Sequence, residues 1–195
     1  MKILIVSDIF GKTDALEQLA LALNSPAEIF DPYSAEMMNF SDEKQAYDYF
    51  SSEVGLDKYT QALVERISAC SESLYLIGFS VGAAAIWNMS NLNMVKNVSK
   101  ATCFYGSQIR NHRGVRPRFQ IDLVFPISEL HFSVDELIAD LTTELAADHR
   151  GIDKVSIRQV SFLHGFMNKY SKNYDQSGFE QEMYLLQESI MSPIS

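Results

Sequence analysis

The sequence predicts an α/β fold, a three-layer α/β/α sandwich on a mostly parallel sheet. Three observations carry that prediction. Short apolar runs alternate with helical patterns about six times along 195 residues, the rhythm of strand–helix crossovers rather than of hairpins. The first run, Lys2-Ile3-Leu4-Ile5-Val6, is continuously apolar after Lys2, as in a strand buried on both faces. The third observation is the stretch from Leu74 to Trp87. There an apolar run ends at G-x-S-x-G (Gly78, Ser80, Gly82) and passes directly into an alanine-rich segment of high helix propensity.

The elements follow in order. After the first strand comes the loop Ser7-Asp8-Ile9-Phe10-Gly11. Thr13 or Asp14 then caps a helix with Leu16, Leu19, Ala20 and Leu23 on one face. Ala27 to Phe30 is a short strand ended by Asp31-Pro32. Residues 33–57 are polar and aromatic without a clean period. Tyr59, Ala62, Leu63, Ile67 and Cys70 mark a helix leading to the strand at Leu74. Ala101 to Tyr105 is the next strand, followed by an arginine-rich loop (Arg110, Arg113, Arg116, Arg118) around His112 and Pro117. Leu123-Val124-Phe125 is a strand. Ser133-x-x-Glu136 forms a capping box for a helix with Val134, Leu137, Ile138, Leu141 and Leu145 on one face. Val155 to Val160 is the last strand, and Phe179, Met183, Leu186 and Ile190 stripe the final helix. Residues 1–195 are expected to form a single domain.

Composition narrows the function. The chain is 47% apolar and 21% charged, with a net charge of −9, so phosphate backbones would be repelled and nucleic acid is not an expected partner. No run is long enough to span a membrane or act as a signal peptide, which makes the cytoplasm the default. Cys70 and Cys103 show no metal-ligand spacing and are expected as reduced core residues, with Trp87 and the methionines also in the core. No metal or cofactor is expected. Gly11-Lys12-Thr13 resembles the tail of a Walker phosphate loop, but Val6 stands where that loop needs glycine.

Ligands of parallel sheets bind at the carboxyl ends of strands, so the loops that matter begin at Ser7, Gly78, Gly106, Pro126 and Ser161. Three of them carry a nucleophile, an acid and a histidine in that order: Ser80, Glu129 and His164. A serine hydroxyl needs an imidazole to take its proton, and the imidazole needs a carboxylate to fix its tautomer. The backbone N–H of Val81 and one from the loop after the first strand would stabilise an oxyanion. His112, His131 and His149 lack such a setting and are expected at the surface.

These pieces resemble the dienelactone hydrolase family of α/β-hydrolases. The resemblance rests on Asp8-Ile9-Phe10-Gly11, Gly78-Phe79-Ser80-Val81-Gly82, Phe104-Tyr105-Gly106 and His164-Gly165-Phe166, in order and at family-like spacing from residue 8 to 166. It implies a compact α/β-hydrolase fold and cleavage of a small ester, thioester or lactone through an acyl-Ser80 intermediate. It also makes the N–H of Ile9 the second oxyanion donor. Asp8 stands where founding members carry a glutamate that interacts with the nucleophile, and Asp8, Phe10, Phe79 and Arg110 are candidate substrate-binding residues. The chain departs from the family in three places. Ser80 stands for cysteine, Pro126 for glycine and Glu129 for aspartate. The arginines that hold a dienelactone carboxylate have no evident counterpart.

Blander readings remain open beside these. Asp8 could simply bond its own turn, and the arginine loop could be either a solvated loop or a substrate-facing lid for an anionic group. A non-catalytic α/β binding protein, as a degenerate hydrolase or a flavodoxin-like phosphate binder, is the alternative function. A monomer or homodimer is expected.

Overall fold

The computed structural model describes residues 1–147 and 152–192; His149 lies outside them. Strands β1 (Lys2–Val6), β2 (Ala27–Phe30), β3 (Leu74–Phe79), β4 (Val98–Phe104), β5 (Gln120–Phe125) and β6 (Val155–Gln159) form one sheet in the order β2-β1-β3-β4-β5-β6. Every neighbouring pair is parallel. Helices α1 (Asp14–Ala22), α2 (Glu43–Tyr49), α3 (Gly55–Ser68), α4 (Val81–Met89), α5 (Val134–Ala147) and α6 (Gln176–Met191) flank it.

Strand alternation sorts the core into two halves. Ile3 and Ile5 of β1, with Tyr75, Ile77 and Phe79 of β3, pack with Leu19 and Leu23 from the α1 segment and with Met183 and Leu186 of α6. Leu4 and Val6, with Leu74 and Leu76, pack with Tyr59, Leu63 and Ile67 of α3, with α4 and with Leu137 and Leu141 of α5. Each fully buried side chain of this kind contributes about 1.5–3 kcal/mol. Both layers of helix are therefore required, which gives the predicted sandwich.

Caps act where the sequence places them. Thr13 Oγ1 accepts from Leu16 N at 3.2 Å, and Ser133 Oγ accepts from Glu136 N at 3.2 Å. Residues 33–57 lack a period because rings and an acid organise them instead. Asp31 accepts from Tyr33 N at 2.8 Å and Ala35 N at 2.9 Å. Tyr33, Phe40 and Tyr49 meet with centroids 5.6–5.7 Å apart. A π-helical turn, Phe50–Val54, then joins α2 to α3 and breaks the 3.6-residue repeat.

Two core expectations are corrected. Cys103 is buried, but Cys70, two residues past α3, is only half-buried at the margin of the core. Trp87, Met89, Met167 and Met183 are core residues, whereas Met1, Met37, Met94 and Met191 are exposed at turns and termini.

One charged contact was invisible to hydrophobic patterning. Glu182 of α6 is fully buried and takes both guanidinium nitrogens of Arg158 on β6, Nη1 at 2.7 Å on Oε1 and Nη2 on Oε2. Arg158 Nε also reaches Asp122 at 3.4 Å. The pair borders a cavity of about 190 Å³ lined also by Lys100 and Ser189, near the amino ends of the strands and away from Ser80. Arg158→Ala would strand a buried carboxylate, so urea unfolding should show a loss of about 3 kcal/mol. Arg158→Met combined with Glu182→Leu should recover most of it. An Arg158→Ala protein as stable as wild type would show that the pair does not anchor α6.

Candidate active site

In the strand order, the chain leaves β1 toward β2 on one side and returns as β3 on the other. The crevice at such a reversal, at the carboxyl ends of the strands, is where an open α/β sheet binds ligands. The loops leaving β1 and β3 carry Asp8-Ile9-Phe10-Gly11 and Ser80.

Ser80 has φ 51° and ψ −112°, a conformation that costs a non-glycine residue about 1–3 kcal/mol. Its N–H donates to Phe104 O at 3.0 Å, and its carbonyl accepts from Ala84 N at 3.0 Å. Small neighbours make the turn possible. A Cβ on Gly82 would stand 2.3 Å from Val6 O, and one on Gly78 would stand 2.6 Å from Ile86 Cδ1. The serine hydroxyl is thereby held clear of the turn.

His164, in the loop after β6, lies 3.0 Å from Ser80 Oγ through Nε2 and 2.7 Å from Glu129 Oε1 through Nδ1. The tilted ring of Tyr105 covers the imidazole at 4.9 Å, and Asn173 Nδ2 donates to the His164 carbonyl at 2.9 Å. The structure thus brings together Ser80, His164 and Glu129 from the loops after β3, β6 and β5. Burial raises the Glu129 pKa. The hydrogen bonds from His164 and Ser107 and the charge of Arg110 outweigh it and hold the carboxyl below its usual range.

The loop after β1 is folded on Asp8. Its Oδ1 accepts from Phe10 N at 2.9 Å and its carbonyl from Gly11 N at 3.1 Å, while Tyr33 OH donates to Ile9 O at 2.7 Å. Asp8 does bond its own turn, but it also accepts from Asn168 Nδ2 at 2.7 Å across the crevice. Burial pushes its pKa up to about 6 against the opposing effect of these bonds and of His164.

The other candidates separate. Phe10 and Phe79 are 5% and 3% exposed. Alternation turns Phe79 onto the α1 and α6 face, where it stacks on Phe104 at 5.3 Å and lines a small cavity with Asp8, Tyr105 and Asn168. Both rings are thus largely buried, Phe79 at the wall of that cavity. Arg110 donates to Ser107 O at 2.7 Å and lies over the Phe132 ring at 4.9 Å. The other arginines of that loop are tied to α5 and to the turn after α4. Arg113 pairs with Asp140 and, at 3.2 Å, with Glu144 of α5. Arg116 donates to Glu144 O at 3.0 Å and Arg118 to Asn91 O at 2.9 Å. His131 is exposed and His112 half-buried. Among the described residues, no group of three or more His, Cys, Asp or Glu could hold a metal ion, and no helix is long and apolar enough to cross a membrane.

Sequence reasoning missed Ser107, Asn168 and Asn173. Ser107 stands in a strand-end loop, which is the signal that could have found it. The two asparagines follow His164 within ten residues but carry no motif of their own.

The sign of the Asp8 effect is testable. Burial lifts its pKa from the ordinary 3.8 to about 6, so the folded state binds the proton more tightly. Stability is then lost as pH rises from about 4 through 6. Asp8→Asn should therefore unfold at higher urea than wild type at pH 7, by about 1–2 kcal/mol after allowance for partial exposure. The gap should close by about pH 4. A pH-independent difference would place the ionisation of Asp8 elsewhere.

No protein-family model matches the chain. A protein of Bacillus subtilis (strain 168), the uncharacterized protein YczH, is 29% identical over 153 residues, covering 77% of this chain and 71% of that one. Solved structures resemble it at lower identity. A Klebsiella pneumoniae protein provisionally described as a dienelactone hydrolase superposes with a TM-score of 0.73 at 14% identity, over 96% of this chain and 86% of that one. The dienelactone hydrolase of Anabaena variabilis gives 0.65 at 12% identity, over 100% and 87%. The metagenomic P91, a dienelactone hydrolase-like promiscuous phosphotriesterase, gives 0.65 at 14% identity, over 96% and 85%. The parallel sheet, the turn at Ser80 and these superpositions together give the chain the α/β-hydrolase fold in the form that dienelactone hydrolases have.

Proposed function

We propose that the chain is a serine hydrolase that cleaves a small ester, thioester or lactone through an acyl-Ser80 intermediate. The observation that carries this reading is the relay from Ser80 Oγ to His164 at 3.0 Å and on to Glu129 at 2.7 Å, on a serine set at a strained strand-to-helix turn. The likeness of fold to dienelactone hydrolases supports the same class of chemistry.

In this reading the His164 Nδ1–H donates to ionised Glu129, leaving the Nε2 lone pair to take the Ser80 proton as Oγ attacks the carbonyl carbon. The tetrahedral oxyanion is received by two backbone donors. Val81 N–H opens α4, where no intrahelical acceptor exists for it. Ile9 N–H lies between Asp8 and Phe10 in a turn that spends the amides of Phe10 and Gly11 but not this one. His164 then passes its proton to the leaving oxygen or sulfur. Water, activated by the same imidazole, attacks the acyl-serine and releases the acid.

The surroundings favour an uncharged substrate. Ile127, Leu130 and Leu163 are exposed beside Glu129 and His164, and Ile127 N bonds Phe162 O at 2.9 Å to join the two loops. Arg113, Arg116 and Arg118 are engaged elsewhere, and Asp8 adds a negative charge above pH 6. Neutral p-nitrophenyl esters should therefore outrun anionic ones of equal length.

A fluorophosphonate should label Ser80 alone, and Ser80→Ala should lose both label and turnover. Glu129→Gln should keep the fold yet react roughly 10³–10⁴-fold more slowly, since a neutral amide favours the wrong histidine tautomer. Glu129→Asp should fall between the two because its shorter arm retracts from His164. Labelling that persists in Ser80→Ala would remove the nucleophile assignment. A protein that neither labels nor turns over any ester would leave the non-catalytic binding reading.

A further inference from the structure

Ser107 opens a short 3-10 turn, Ser107–Asn111, after β4, and its side chain reaches between the two partners of the acid–histidine pair. Ser107 Oγ donates to Glu129 Oε1, the same oxygen that meets His164 Nδ1 at 2.7 Å, and it stands 3.1 Å from that nitrogen. A hydroxyl carries one donor and two acceptor positions. It can therefore give its proton to the carboxylate while accepting a share of the Nδ1–H. The residue is itself held, since its N–H donates to Tyr105 O at 2.9 Å and its carbonyl accepts from Arg110 Nη1 at 2.7 Å.

Resting on the hydrolase reading above, we propose that Ser107 is a positioning residue that locks the Glu129 carboxylate onto His164 and lowers the basicity of the pair. A glutamate has one more rotatable bond than an aspartate and loses correspondingly more side-chain freedom when fixed. A second, charge-assisted bond on the working oxygen removes that freedom before the reaction begins. The same bond draws negative charge from Oε1, so the carboxylate pulls less strongly on the imidazole proton. Without Ser107 that charge is undiminished, and the pH profile of the reaction should change with it. Among the described residues, the charged and titratable groups around this acid–histidine pair are Glu129 from the loop after β5, Asp8 from the loop after β1, and Tyr105 and Arg110 from the segment after β4, the Tyr105 ring lying 4.9 Å from the imidazole. Ser80 comes from the loop after β3.

The test compares Ser107→Ala, Ser107→Cys and Ser107→Thr in the full chain, with p-nitrophenyl acetate hydrolysis and fluorophosphonate labelling followed across pH. Ser107→Ala should lower kcat about tenfold with KM little changed and move the acid limb of kcat/KM to higher pH. Ser107→Cys, nearly the same size but a weak donor, should behave likewise and guards against loss of fold. Ser107→Thr should restore both the rate and the limb. The displacement should persist in an Asp8→Asn background, which separates it from the ionisation of Asp8. Wild-type rate and pH profile in Ser107→Ala, with Ser80 still labelled and Glu129→Gln still slow, would overturn this proposal and leave the hydrolase reading intact. A wild-type protein that neither labels nor hydrolyses would overturn both.

Discussion

Gly82 stands so close to the end of β1 that a single added carbon would enter the carbonyls of Val6 and Ser7, at 2.3 and 2.5 Å. That approach is the constraint on which the rest of the crevice depends. It seats the first turn of α4 against the carboxyl end of β1, across the point where the sheet order reverses. The chain must therefore leave β3 through a turn so tight that Ser80 takes a positive φ. Val81 N–H and the Asp8 loop are brought to the same side by that turn. The strain is small beside the burial it serves, because Ala83, Ala84, Ala85, Ile86 and Trp87 are all fully buried behind it.

The crevice then holds two carboxylates in opposite electrostatic settings. Glu129 is surrounded by donors from His164 and Ser107 and by the charge of Arg110, and is held below the ordinary range. Asp8 has comparable hydrogen bonds, but burial dominates and lifts it to about 6. In a chain of net charge −9, a second fully ionised group here would raise the local negative potential and stabilise a protonated imidazole. Below about pH 6 burial keeps the proton on Asp8 and that field is absent; above it both acids are charged.

The fold was legible because its signals are periodic. Continuous apolar β1 and β3, the capped α1 and α5 and the glycines around Ser80 are local patterns, and local patterns survive in one dimension. Residues 33–57 were illegible for the converse reason. Their order comes from Asp31 capping a turn, three rings meeting in two edge-on contacts and one tilted one, and a π-turn that shifts register, none of which repeats along the chain. Ser80, Glu129 and His164 could be named because each follows a strand. The bound state of the arginines could not, because Asp140 and Glu144 are surface-like residues of α5 until the loop folds over them. Arg158 and Glu182 were missed for a related reason: a charge inside a helix stripe reads as solvent-facing when its partner lies on another element.

Glu129 meets His164 because β5 and β6 are neighbours in the sheet and the loops that leave them lie side by side. Its side chain, one methylene longer than an aspartate's, brings Oε1 to 2.7 Å from His164 Nδ1. Length of this kind brings rotational freedom, which the loop after β4 supplies a means to remove, since Ser107 stands on the same carboxylate oxygen. Three loops thus meet on one atom, Oε1 of Glu129. Moving any one of them would disturb a contact made by the others, so the carboxylate, the imidazole and the serine hydroxyl are set as one unit.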